Sequence, residues 1–226
     1  DAAAWSENNF FAVHNWWHLA LHHLERGETA RVLELFDGPI FGHGPTLALD
    51  LVDASALLWR LELAGAQVGT RWVGVAEAWA PFADEAHYTF NDVHAGMAFA
   101  RAGRADLLER LRETQARAQR QPGDNAGFTA QVGAPLLEAL VAFAQGQEGQ
   151  AIERLRQVRP IAHRFGGSHA QRDLIDWTLA EAAIRSGDAA LARALSAERA
   201  QLKPSRASAA AMVRRAMTMA PQARAA

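Results

Sequence analysis

The sequence predicts an all-α protein, an α-solenoid of about five stacked helical hairpins. Three observations carry that prediction. Ala supplies 50 of the 226 residues with Leu next, and Pro numbers only 8, a composition that favours helix nearly everywhere. Apolar residues recur along the chain at helical spacing. Five times, a Gly closes one such run just before another begins, which is the usual left-handed cap of a helix.

Each hairpin follows from that punctuation. In the first, helices over 8–25 and 28–36 meet at Leu24-Glu25-Arg26-Gly27-Glu28. The second joins 46–63 to 69–82 at Leu63-Ala64-Gly65-Ala66, and the third joins 86–102 to 104–120 at Arg101-Ala102-Gly103-Arg104-Ala105. The fourth joins 130–145 to 148–160 at Ala144-Gln145-Gly146-Gln147, and the fifth joins 169–186 to 188–202 at Arg185-Ser186-Gly187-Asp188-Ala189. The glycines lie 38, 38, 43 and 41 residues apart, a period expected of stacked helical repeats. Breakers separate the hairpins at Gly38-Pro39, Gly42 to Pro45, Pro81, Pro122-Gly123-Asp124-Asn125, Gly166-Gly167 and Pro204. Ser168 with Gln171 matches a capping box. Residues 1–204 are thus expected to form the repeat domain, and 205–226 an Ala/Arg-rich tail with a capping helix over 207–219.

Composition removes several function classes. A formal charge of −2 gives no global pull toward nucleic acid, and Arg117, Arg120 and the tail arginines are too sparse for a nucleic-acid stripe. Without Cys there is no disulfide, no thiolate nucleophile and no Cys-held zinc or iron–sulfur site. No membrane partner is expected, because no uninterrupted apolar run reaches about 18 residues. The chain starts at Asp1 with an uncapped first hairpin, so further repeats are expected upstream.

Polar residues gather on the first helices. His14, Asn15, His18, His22 and His23 form one cluster, Asp50, Asp53, Arg60 and Glu62 a second, and Asn91, Asp92 and His94 a third. A fourth runs through Arg159, His163, Arg164, His169, Arg172 and Asp173 across a turn. Counted back from each hairpin Gly, His14, His18, His22, Asp53, Arg60, Asn91 and His94 share an arc of about 100°. If first helices line the concave face, these seven aim into one groove, a place for a small molecule or a peptide segment. His14 and His18 have the i, i+4 spacing of a metal-binding pair, with Asp53, Asp92 and His94 as candidate third ligands and His94 the one favoured, so a divalent metal is a candidate cofactor. No Glu stands between the two histidines to give the HExxH pattern. His94 with Asp92 or Asp53, and His169 with Asp173, are alternative acid–base pairs. Gly166-Gly167-Ser168 beside Arg164 and Arg172 is a candidate anion cradle, and helix capping explains it equally well. No GxSxG elbow is present. Structural hydrogen bonds between hairpins, a scaffold reading, account for the same residues.

His14-Asn15-Trp16-Trp17-His18-Leu19-Ala20-Leu21, the run from Asp50 to Glu62, Phe90-Asn91-Asp92-Val93-His94-Ala95 and the run from Arg159 to Asp173 resemble the tetratricopeptide repeat protein 38 family. The resemblance extends from about Phe10 to Pro204 and corresponds to the C-terminal half of such a protein. It implies a cytoplasmic helical array and no particular reaction. His22 stands where the family pattern leads one to expect an aromatic such as Tyr, leaving His14, His18 and His23 as the family-like set.

Overall fold

The computed structural model describes residues 9–204 and 206–220. The described residues fold as packed helices with no strand among them. Helices α1 (Ala12–Glu25) and α2 (Thr29–Leu35) form the first pair, and α3 (Ala48–Leu63) and α4 (Arg71–Trp79) the second. The third is α5 (Thr89–Arg101) with α6 (Ala105–Ala118), and the fourth α7 (Asp124–Ala144) with α8 (Glu148–Val158). The fifth is α9 (His169–Arg185) with α10 (Ala189–Leu202), and α11 (Ala207–Thr218) follows. Residues 1–8, Ser205 and 221–226, parts of the expected first helix and tail, lie outside the described residues.

The turn chemistry is the one expected. Gly27, Gly65, Gly103, Gly146 and Gly187 have φ of 76°, 86°, 70°, 72° and 81°, a region open to Gly at little cost. In four of the hairpins the amide beyond the Gly reaches back to close the helix, as in Glu28 N–H to His23 C=O (3.0 Å) and Gln147 N–H to Ala142 C=O (2.8 Å). That bond satisfies a carbonyl otherwise left open at the helix end. Ser168 and Gln171 form the full capping box at the start of α9.

The largest departure is α7, which begins at Asp124 rather than 130 and widens into a π turn at Thr129–Gly133. Pro122-Gly123-Asp124-Asn125 therefore ends as a helix start. Gly123 takes φ 104°, and the Asn125 amide ties α7 to the previous hairpin, accepting from Thr89 N–H (3.0 Å) and donating to the Ala86 carbonyl (3.1 Å). At this length α7 has an 18-residue window of mean hydropathy 1.4, enough by length and composition to cross a membrane. The sequence reading missed it because it began the helix at 130. In this fold its Leu136, Leu137, Ala139, Leu140 and Val141 are buried in the core.

First helices pack on first helices: α1 on α3, α3 on α5, α5 on α7. The chain then curves back, so that α9 meets α3 as well as α7. Trp59 Nε1–H on α3 donates to the Thr178 hydroxyl on α9 at 2.9 Å, both groups buried. Beyond it, the Ser208 hydroxyl on α11 donates to Glu25 on α1 at 2.8 Å. A contiguous apolar core runs from Trp17 to Met212. Trp17, Trp59, Trp72, Trp79 and Trp177 are buried in it, while Trp16 is half-buried, so the adjacent pair does diverge as helix geometry requires.

Candidate functional site

The structure sorts the sequence candidates into two clusters and a set of interior links. The first cluster sits where α1 crosses α3. His14 and His18 are one turn apart on α1, and Asp53 rises from α3 beneath them. His14 Nδ1–H donates to Asp53 Oδ2 at 2.8 Å, and the two Nε2 atoms of His14 and His18 are 3.2 Å apart. Trp17 stacks on His14 at 5.3 Å and meets His18 edge-on at 4.9 Å, which holds both imidazoles in place. Asp53 is fully buried and its Oδ1 has no hydrogen-bond partner. Burial pushes the Asp53 carboxyl up against the opposing pull of the His14 bond, and that bond in turn raises His14. Burial, with His14 alongside, lowers His18. A carboxylate, a fixed imidazole and a second, solvent-exposed imidazole are thus in line, an arrangement able to pass a proton or hold an ion.

His94, the expected third metal ligand, is not brought to that pair. Among the described residues no group of three His, Asp or Glu is placed to hold a metal. Helix α5 turns His94 into the interior, where Nδ1–H donates to the Phe90 carbonyl at 2.8 Å and Nε2 is buried without a partner. Nor do the arc residues line an open channel. Asp53, Arg60 and His94 are all buried, Asp53 beneath His14 of α1 and Arg60 beneath the start of α9. Arg60 donates to the carbonyls of Ala56 (3.1 Å), Ala170 (2.5 Å) and Gln171 (3.3 Å), and its guanidinium lies 5.6 Å over the Trp17 ring. Burial lowers its pKa to about 10. Asn91 and Asp92 border only a crevice of about 20 Å³ with His87 and Tyr88. Neither expected partner of His94, Asp92 or Asp53, bonds to it.

Asp92 and His94 give an opposed pair of pH effects. Burial pushes the Asp92 carboxyl up to about 6 from 3.8 and the His94 imidazole down to about 4 from 6.5. Between pH 6.5 and 4 the unfolded chain protonates His94 while the folded chain does not, so stability falls on acidification by about 3 kcal/mol. Ionised Asp92 penalises the fold above pH 6, and the penalty of about 3 kcal/mol is lifted as pH drops toward its unfolded value. The two offset each other in the native chain. Asp92→Asn, which keeps the bond to Gln115, should therefore be more stable than wild type at pH 7 by about 2 kcal/mol and lose that advantage by pH 4. Urea unfolding at pH 7 and pH 4.5 checks this; equal stabilities at pH 7 would contradict it.

The second cluster lies at the start of α9. His163, His169, Arg172 and Asp173, four of the sequence candidates, line one cavity of about 320 Å³ with Arg159, Asp176, Leu202 and Lys203. Its charges are unequally compensated. Asp173 accepts both Arg199 nitrogens (2.8 and 2.9 Å) and faces Lys203 at 3.1 Å. Burial works against the Asp173 charge, but Arg199, Lys203 and Arg60 outweigh it and hold the carboxyl below its usual range. Arg159 is paired with Asp176 (2.5 Å) and Glu198 (2.7 Å). Arg172 bonds only the carbonyls of Gly166 and Gly167, and neither it nor His163 or His169 has a carboxylate partner among the described residues. His169 and Asp173 share the cavity without bonding, so that expected acid–base pair is not formed.

The two glycines are explained by close packing. A Cβ on Gly166 would stand 1.7 Å from the Tyr88 hydroxyl, and one on Gly167 2.5 Å from the Phe90 ring. The turn is thus a seat for α5 aromatics, and it carries Arg172's anchoring carbonyls. Lys203, Leu202 and Arg199 were missed as site residues. Arg199 and Leu202 enter from α10 and Lys203 directly follows it, some thirty residues further along. A larger, mostly apolar cavity of about 580 Å³ beside Phe41, Pro45, Gly74 and Phe82 holds none of the sequence candidates. No protein-family model matches the chain, and no solved structure matches it.

Proposed function

We propose that the chain is a tetratricopeptide-type helical array that binds a small anionic molecule in the cavity at the start of α9. The array reading is supported by five hairpins at a 38–43-residue period, each first helix up to α7 packing on the next; the sequence resemblance to the tetratricopeptide repeat protein 38 family agrees with it. The binding reading rests on one observation above all: Arg172, His163 and His169 line a single cavity with no carboxylate of their own. Arg172 is half-buried, and a half-buried cation without a counter-charge is costly; a carboxylate or phosphate group supplies that counter-charge with strong, charge-assisted bonds, and the exposed His163 and His169 add ring N–H donors beside it. A cavity of about 320 Å³ suits a metabolite-sized ligand rather than a peptide. The burial of Asp53, Arg60 and His94 takes three of the seven arc residues away from any surface groove, which favours the small ligand.

A second reading, acid–base or metal-assisted chemistry, draws on the chain Asp53–His14–His18. None of these three residues lines the α9 cavity.

The binding reading is tested by thermal unfolding and calorimetry with inorganic phosphate, citrate and, as an uncharged control, glycerol. At a hundredfold excess over Kd an anion that fits should raise Tm by about 5 °C or more. Arg172→Gln should abolish the shift. No shift with either anion, or an equal shift in Arg172→Gln, would contradict the reading.

A further inference from the structure

We propose that His14 and His18 form a two-imidazole site for a first-row divalent transition-metal ion of the zinc or copper class, with Asp53 as its positioning carboxylate. Three geometric facts point there. First, the two Nε2 atoms converge to 3.2 Å from each other. Two nitrogens bound to one tetrahedral zinc, at about 2.0–2.1 Å each, stand about 3.3 Å apart. The side chains thus need little movement to take an ion between them, whereas without one they must share a single proton.

Second, the supporting shell is already built. Histidines that ligate metals almost always donate their other ring nitrogen to a carboxylate or carbonyl. His14 does so to a carboxylate that is itself fully buried. The bond fixes the Nδ1–H tautomer and leaves the Nε2 lone pair turned toward His18. Trp17, stacked on one imidazole and edge-on to the other, restricts both rings. Asp53 needs a positive partner, since its Oδ1 is buried without a bond, and a cation on His14 Nε2 supplies charge through the imidazole.

Third, the site is open. His18 is solvent-exposed and His14 is about one quarter exposed. No third His, Asp or Glu joins them among the described residues, so water or an exchangeable ligand completes the coordination. Imidazole ligands select zinc, copper and nickel over magnesium and calcium. The site is separate from the α9 cavity and its test does not depend on that cavity.

The experiment is titration of the untagged, chelator-treated chain with zinc chloride, copper sulfate and magnesium chloride by calorimetry, with electron paramagnetic resonance on the copper form. One zinc per chain is expected, with no magnesium uptake. His18→Ala changes an exposed side chain, so circular dichroism should stay native while zinc affinity falls at least tenfold. Its copper spectrum should lose one of two imidazole couplings. Asp53→Asn should weaken zinc by about 10–100-fold, the usual effect of losing such a positioning carboxylate. His22→Ala, on the same helix and also exposed, should leave affinity unchanged. Equal zinc affinity in wild type and His18→Ala would overturn the proposal, as would a loss in His22→Ala as large as in His18→Ala.

Discussion

Gly166→Ala should lower stability by about 3 kcal/mol or more, a fall in Tm of about 6–12 °C for a chain of this size. Two independent costs add. Gly166 has φ 95° and ψ −158°, a conformation L-residues scarcely adopt. Its missing Cβ would also overlap the Tyr88 hydroxyl at 1.7 Å and approach Cζ at 3.0 Å, so either the aromatic or the turn must move. The two costs are separable. Tyr88→Phe removes the hydroxyl overlap and leaves the backbone strain, so the double variant should be destabilised by less than the sum of the singles. Additive losses would show that the contact with Tyr88 plays no part. Because the Gly166 and Gly167 carbonyls anchor Arg172, Gly166→Ala should also weaken phosphate binding.

Arg60→Met should cost about 3 kcal/mol, read by urea unfolding at neutral pH. Met nearly fills the volume, so the loss is polar. It removes three hydrogen bonds to main-chain carbonyls and the contact over Trp17. It also withdraws the buried cation that helps to compensate Asp53 and Asp173. Breaking one side of a buried charge arrangement is expensive, since the remaining charges are left uncompensated. The opposing gain is relief of Arg60's own desolvation, visible in its pKa of about 10, and it keeps the net loss from growing larger. Arg60→Lys should recover part of the loss, because an ammonium keeps the charge but not the planar fork that spans Ala56 and Ala170. A neutral outcome for Arg60→Met would mean that the polar contacts of Arg60 add nothing net to holding α9 on α3.

Local chemistry made the helices legible from sequence. The Gly after Arg26, Ala64, Ala102, Gln145 and Ser186 takes the left-handed cap in every case, and such a cap depends on nothing distant in the chain. The capping box at Ser168 was readable for the same reason. The start of α7 was not, since Asn125 there serves Ala86 and Thr89 across the hairpin boundary. Curvature was equally hidden. Counting residues back from the glycines placed Asp53, Arg60 and His94 on one side of their helices, but not α9 over Arg60 or α1 over Asp53. A residue count fixes angles on one helix and not which helix covers them. His14, His18 and Asp53 do meet, at the crossing of α1 and α3 with Asp53 fully buried and not in an open groove. The α9 cavity was half legible: its α9 wall was a visible cluster, while Lys203 and Leu202 depended on how α10 folds back.

The most direct test of small-anion binding is side-chain imidazole NMR of the labelled chain during titration with inorganic phosphate at constant pH. His163 and His169 resonances should shift together and saturate, while those of exposed His43 and His87, outside the α9 cavity, stay in place; uniform small shifts at all exposed histidines, or none at His163 and His169, would contradict it.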